Sequence, residues 1–120
     1  MRAMSSPAAA RTPSQLDRTL LALSDPTRRH LVERLGRRPL RPTDLGRGLP
    51  ITRPAVSRHL RVLRNAGLVE AVPQGREILY QLAGNARGIE EARAYFERMS
   101  RSWDRALAAF KKFAELEDAT

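Results

Sequence analysis

Thr52-Arg53-Pro54-Ala55-Val56-Ser57-Arg58-His59-Leu60-Arg61-Val62-Leu63-Arg64-Asn65-Ala66-Gly67 carries two opposed faces on one helical period. At about 100° per residue, Val56, Leu60, Leu63, Ala55 and Val62 share one arc, and Arg53, Ser57, Arg58, Arg61 and Arg64 share the other. Thr52 suits an N-cap, Pro54 fits the first turn, where its missing N–H loses no partner, and Gly67 suits a left-handed stop. The ends of a helix are therefore written into the chain. Residues 52–66 hold four arginines and no acid. A face that is merely solvated usually mixes Glu with Lys or Arg for i,i+4 support, so this self-repelling face points to a polyanionic partner. Arg can reach guanine bidentately in the major groove and Ser can contact either base type, which makes this a helix suited to reading DNA.

The neighbouring segments give that helix a setting. Pro42 opens a short helix of about 42–48, in which Gly46 and Gly48 each cost about 1 kcal/mol relative to Ala. Glycine there is useful if another helix must cross closely, as a helix-turn-helix requires, and Leu49-Pro50-Ile51 reads as its turn. Further upstream, Ser14-Gln15-Leu16-Asp17 resembles a capping box opening a first helix of about 14–23, with Leu16, Leu20 and Leu23 at i, i+4 and i+7. Asp25-Pro26 caps a second helix over 26–35 whose buried face is Leu31, Val32 and Leu35, and Gly36 ends it. Met1 to Pro13 has no periodicity and reads as a disordered arm.

Downstream, the runs Leu68–Val72 and Glu77–Leu82 flank Pro73-Gln74-Gly75-Arg76. Ile78, Tyr80 and Leu82 alternate with Glu77, Leu79 and Gln81, so the pair reads as a hairpin with a four-residue loop, the wing of a winged helix. Arg76 at its tip is placed to touch a phosphate or enter the minor groove. The last segment, about 88–116, is a long helix with Ile89, Ala92, Phe96, Met99, Trp103, Leu107, Phe110 and Phe113 at spacings of three and four. So long an aromatic stripe exceeds what a small winged helix can cover, and part of it should meet another chain. The expected architecture is mainly α with a small β-hairpin, a winged helix-turn-helix in the order α1-α2-α3-α4-β-β-α5, with the DNA-binding domain over 14–120.

The 120 residues make one domain, too small for a catalytic domain beside a substrate domain. With no cysteine there is no disulfide, thiolate metal site or cysteine nucleophile. No apolar run approaches a membrane span or a secretory signal, which fits a cytoplasmic protein. The net charge of +9 is uneven: residues 1–88 hold 16 basic and 6 acidic residues, and residues 89–120 hold 6 and 7. Eleven arginines stand between Pro26 and Arg64 against Glu33 and Asp44, the footprint expected of a phosphate-binding surface. No acid pair, no Ser/His/Asp arrangement and no Gly-rich phosphate loop with a Lys supports an enzyme.

Leu23-Ser24-Asp25-Pro26-Thr27-Arg28-Arg29, followed by Pro54 to Val69, resembles the ArsR/SmtB winged helix-turn-helix repressors across almost the whole chain after the arm. The resemblance implies a homodimeric regulator that pairs through its first and last helices, binds a palindromic operator on double-stranded DNA and often represses its own operon. By position it implies recognition residues at Thr52, Arg53, Ala55, Ser57, Arg58 and Arg61, with Arg64 beside them and the wing at Gln74 to Arg76. A dimer interface would then draw on Leu16, Leu20, Phe96, Met99, Trp103, Leu107 and Phe110. The family's metal sensors use a Cys pair in the third helix or Asp and His in the last. Here the third helix reads Thr43-Asp44-Leu45-Gly46-Arg47 and the only histidines are His30 and His59, so no metal site and no cofactor is expected. The chain is similar instead to the metal-independent branch, and no effector is legible. His59 falls on the apolar side of its helix, as a hydrogen-bonded structural residue would, and Arg41 stands where the family often has a Ser or Thr cap. A nonspecific architectural DNA-binding protein is the alternative; it should show apolar wedges or wrapping arms, and the Arg76 hairpin reads as having no apolar tip.

Overall fold

A computed structural model describes residues 14–119; the expected arm over 1–13 lies outside them. The order is α1 (Gln15–Ala22), α2 (Pro26–Leu35), α3 (Pro42–Leu45), α4 (Arg53–Asn65), β1 (Val69–Gln74), β2 (Glu77–Leu82) and α5 (Arg87–Ala119), a winged helix-turn-helix. Each early helix begins where its cap places it. Ser14 Oγ accepts from the Asp17 amide at 3.0 Å while Asp17 Oδ2 accepts from the Ser14 amide at 3.1 Å, a reciprocal capping box. Asp25 Oδ1 accepts from the Thr27 and Arg28 amides at 2.7 and 3.1 Å, with Pro26 in the first turn. Thr52 Oγ1 accepts from the Ala55 amide at 3.2 Å.

The core gathers where these elements meet. Leu31 and Leu35 of α2, Leu45 of α3, Val56, Leu60 and Leu63 of α4, and Leu68 and Val69 entering β1 are buried together with Ala22 and Leu40. α4 thus turns one face wholly inward, as its period requires. Val62 departs from the expected arc: it stands at the margin and is exposed, beside Leu21. In α1 the buried positions are Thr19 and Ala22, and Leu16 and Leu20 are half-buried. Thr19 Oγ1 has no hydrogen-bond partner among the described residues. Gln15 Nε2 donates to the Ala66 carbonyl at 2.7 Å, which ties α1 to the end of α4.

Two expected segments are corrected. The third helix does not reach residue 48: it stops at Leu45, Gly46 is its C-cap, and Gly48 sits at φ +81° in the turn. The helix cost of two glycines prevails, and the connection to α4 runs from Gly46 to Thr52 instead of Leu49 to Ile51. The close crossing does hold, since a Cβ on Gly46 would lie 2.8 Å from Val56 Cγ2. The hairpin loop is also shorter than four residues. Pro73 pairs with Ile78 and Gln74 with Glu77, which leaves Gly75 and Arg76 as the turn. Gly75 has φ +65° and Arg76 does not share the positive sign, the pattern of a type II′ turn with glycine first.

Pro73 fits inside a strand because of register. Tyr80 exchanges backbone hydrogen bonds with Leu40, at 2.8 and 3.0 Å, on the edge of β2 away from β1. The Ala71–Tyr80 pair is therefore a non-hydrogen-bonded one, and so, two residues on, is Pro73–Ile78. The imide nitrogen of Pro73 then faces the open edge, where no donor is needed. Leu40 supplies a one-residue third strand that anchors the wing to the turn between α2 and α3.

Candidate nucleic-acid interface

On α4, Arg53, Ser57, Arg58, Arg61 and Arg64 are all exposed, and none of their side chains makes a hydrogen bond or ion pair among the described residues. Ala55 is half-buried at the margin of this face, and Thr52 is exposed but uses its hydroxyl to cap the helix. Gln74 ends β1 and Arg76 lies in the turn, both exposed, on the same chain direction that carries the wing away from the core. Behind the tip, Ile78 is half exposed opposite Pro73, so the wing carries an apolar pair beside its basic end.

Not all of the eleven arginines between Pro26 and Arg64 belong to this face, and the expectation of one phosphate-binding surface is corrected accordingly. Arg28 donates from Nε to the Ala22 carbonyl at 2.6 Å and from Nη2 to Leu21 at 3.3 Å, and Arg29 donates to the Leu23 carbonyl at 2.8 Å. These contacts tie both arginines to carbonyls at the end of α1, where the helix leaves acceptors without an intrahelical partner. Arg34 Nη1 donates to the Leu45 and Arg47 carbonyls, at 2.9 and 2.6 Å, and fastens the turn of the helix-turn-helix to α2. Arg41 pairs with Asp44 at 3.1 Å and Glu77 at 2.9 Å, and Arg47 pairs with Asp44 at 3.0 Å. The Glu77 and Asp44 hydrogen bonds raise the Arg41 pKa above its already high value. Arg41 makes no side-chain cap, as its type implies, and serves instead to join α3 to the tip of the wing, where Glu77 closes the turn.

Thr43 is a residue that sequence reading passed over. With Pro42 it lines a small notch against Arg53, Val56 and Ser57, so the start of α3 stands beside the start of α4. The sequence signal was its place directly after Pro42 in a helix that must cross α4. His59 is half-buried, and its Nδ1 accepts from Arg28 Nη1 at 3.3 Å, since a guanidinium has no lone pair to offer. Arg28 thereby links the end of α1, the start of α2 and the middle of α4. Among the described residues, no group of three His, Asp or Glu side chains is placed to share a metal ion.

The stripe on α5 is the second open surface. Over residues 87–118 of α5 only Gly88 and Ala92 are buried, and every residue from Phe96 to Asp118 is exposed. Phe96 is 55% exposed, Trp103 63% and Phe110 70%, with Met99 and Leu107 on the same stripe also exposed. The 33-residue helix is about 50 Å long. It gives the chain a radius of gyration of 20.5 Å, against about 14 Å for a compact chain of this length. No helix among the described residues is long and apolar enough to cross a membrane.

Residues 25–71, from the cap of α2 to the first part of the wing, match the family described as bacterial regulatory protein, arsR family. The chain is 43% identical over 101 residues to the HTH-type transcriptional regulator Rv2034 of Mycobacterium tuberculosis, a match covering 84% of this chain and 90% of that protein. It resembles the solved structure of an ArsR-like transcriptional regulator from Rhodococcus sp. RHA1 at TM-score 0.65 and 39% identity, over 83% of this chain and 92% of the other. It also shares its fold with the solution structure of the homodimeric winged helix-turn-helix DNA-binding domain of Mb0332 from Mycobacterium bovis, described there as a possible ArsR-family regulator. That match has TM-score 0.58 and 24% identity, over 88% of this chain and 94% of that domain.

Proposed function

This chain belongs to the arsR family of bacterial regulatory proteins, and we propose that within it the protein is a homodimeric, cytoplasmic repressor that binds a palindromic operator. It is a helix-turn-helix transcriptional regulator, as the relatives it matches are named. The observation that carries the reading is the outer face of α4. Four unpaired arginines and Ser57 stand on a helix whose other face is locked in the core, while other arginines of the domain are spent on carbonyls and carboxylates. Arg53, Ser57 and Arg58 occupy the first two turns, the part of a recognition helix that meets base edges. Thr52, Arg61 and Arg64 flank them, and Gln74 and Arg76 on the wing reach the backbone or the minor groove.

The dimer is supported by the bare stripe on α5, with Phe96, Met99, Trp103, Leu107 and Phe110 contributed by each protomer and Leu16 and Leu20 of α1 at its side. Two copies related by a dyad would present two α4 helices to two half-sites about one helical turn apart, or a multiple of it. Release does not depend on a soft metal, because the chain has no cysteine and His59 is engaged by Arg28. Footprinting on the DNA flanking its own gene tests the whole reading. Protection with dyad symmetry at that spacing, unchanged by stoichiometric zinc or cadmium, is expected. Continuous protection without symmetry would favour the architectural alternative, and protection lost with metal and restored by a chelator would overturn the metal-independent assignment.

A further inference from the structure

An open cleft of about 650 Å³ lies between the end of α2, the Leu40 bridge and α3, and no residue of α4 lines it. Arg34, Arg37, Arg38, Arg41 and Arg47 line it, with Asp44 the one carboxylate among them. Three of the five have work within the fold. Arg34 holds the Leu45 and Arg47 carbonyls, Arg41 holds Asp44 and Glu77, and Arg47 holds Asp44. Asp44 is thus already shared between two guanidiniums, and nothing remains for Arg37 and Arg38. Both are exposed, and neither side chain makes a hydrogen bond or ion pair among the described residues. Gathering like charge around a hollow destabilises the free protein unless an anion enters it.

The cleft also continues into the surface that starts at α4. Arg47 lines a second hollow together with Thr43 and Arg53, and Thr43 and Arg53 recur beside Ser57 in the notch at the start of α4. A basic track therefore runs from Ser57 and Arg53, past Thr43, to Arg47 and into the arginine cleft. We propose that the cleft is a second phosphate-binding site, gripped by Arg37 and Arg38, that takes the DNA backbone just outside the half-site. The proposal rests on the reading of α4 as the helix that meets base edges, and lengthens the contact beyond it. A continuous track favours a phosphodiester chain over a free phosphate, although the oxyanion chemistry is the same.

The test uses the full chain, wild type and the double variant Arg37→Gln/Arg38→Gln, which removes no contact of the fold. Two duplexes share the tightest core selected from a randomised pool, and one is extended by about half a helical turn on each side. The wild type is expected to bind the extended duplex on the order of tenfold more tightly, with a salt slope steeper by about 0.9 for each added phosphate contact. The double variant should bind the short core as the wild type does and gain nothing from the extension. Equal loss on both duplexes would mean that the two arginines act only as general charge, and equal wild-type affinity for both would remove the flanking contact; either overturns the proposal. Inorganic phosphate and pyrophosphate at constant ionic strength supply the other arm. A rise in wild-type melting temperature absent from the double variant, without any effect of flank length, would assign the cleft to a small anion instead. Failure of the α4 reading shows separately, as loss of preference between the selected core and a scrambled one, and leaves the comparison of duplex lengths intact.

Discussion

α4 and the second half of α5 are both amphipathic helices with one open face, but their closed faces differ. α4 packs Val56, Leu60 and Leu63 against α2, α3 and β1 and leaves a mainly basic face outside, with Val62 at its margin. From Phe96 to Asp118 every residue of α5 is exposed, and aromatic side chains are left outside. An open face of unpaired guanidiniums costs little in water and attracts phosphate, whereas an open face of Trp and Phe is unfavourable in water until like surface covers it. The first describes a helix complete as a fold element and waiting for a ligand, the second a helix incomplete without another polypeptide. Separating the two roles lets one helix be optimised for rigidity and the other for association.

The largest expected effect lies in α5. Trp103→Glu places a carboxylate in the centre of the stripe, where burial of a large apolar side chain contributes about 1.5–3 kcal/mol per protomer and an unpaired charge costs more. Light scattering should give twice the 13.5 kDa chain mass for the wild type and a mass near that of one chain for the variant at micromolar concentration. Operator affinity should fall with it, because two half-sites are then no longer bound as one event. A wild type that is a stable monomer would break the contrast between the two helices.

Next is the joint that makes α4 rigid. Gly46→Ala puts a methyl group 2.8 Å from Val56 Cγ2, which forces α3 and α4 apart. Overpacking of this kind costs about 1–3 kcal/mol, read as a lower midpoint in chemical denaturation. Gly48→Ala has open space around it and strains only the turn, so it should cost less. If the two variants were equally stable, the close crossing would not be what requires glycine at 46.

The legible parts of the fold are those with a local signal. Ser14, Asp25, Thr52 and Gly67 each mark an end that the structure keeps, and the i, i+3, i+4 pattern of α4 gave its buried face apart from Val62 at the margin. What escaped is non-local or backbone-directed. Leu40 pairs with Tyr80 across a long stretch of chain as a single residue, too short to show a period. Arg34 and Arg28 bind carbonyls, whose positions no side-chain pattern reveals, so these arginines were indistinguishable in sequence from those on α4. Pro73 suggested a loop, and only the register shows that its nitrogen meets the open edge.

A smaller effect divides the basic face itself. Arg53 stands in the first turn of α4, and Arg64 near its end. Arg53→Ala should cost on the order of 1–3 kcal/mol on the operator and little on random duplex, because base discrimination is lost. Arg64→Ala should weaken both alike and lower the salt slope by about one unit. Equal factors on both duplexes for Arg53→Ala would remove the recognition assignment and favour the architectural reading.

The smallest effect concerns the cap that seats α4 from behind. Asp25 accepts from the Arg28 and Thr27 amides, and Arg28 in turn reaches His59 on α4. The Arg28 amide, with help from the Thr27 amide and the nearby His59 and Arg28 side chains, lowers the Asp25 pKa below its ordinary value, against a partial opposing effect of burial. A carboxyl whose pKa is lower folded than unfolded stabilises the fold fully above the unfolded value, and loses that contribution as pH falls through the folded one. Asn keeps the cap without the titration, whereas Ala loses the cap, at about 1 kcal/mol. At neutral pH the wild type should therefore denature at a slightly higher midpoint than Asp25→Asn, which lacks the charge, with Asp25→Ala below both. From about pH 5 downward the wild type should lose stability faster than Asp25→Asn, in the range where ordinary carboxylates titrate. Parallel acid limbs for those two proteins would show that the cap acts through geometry alone and that its charge adds nothing to the seating of α4.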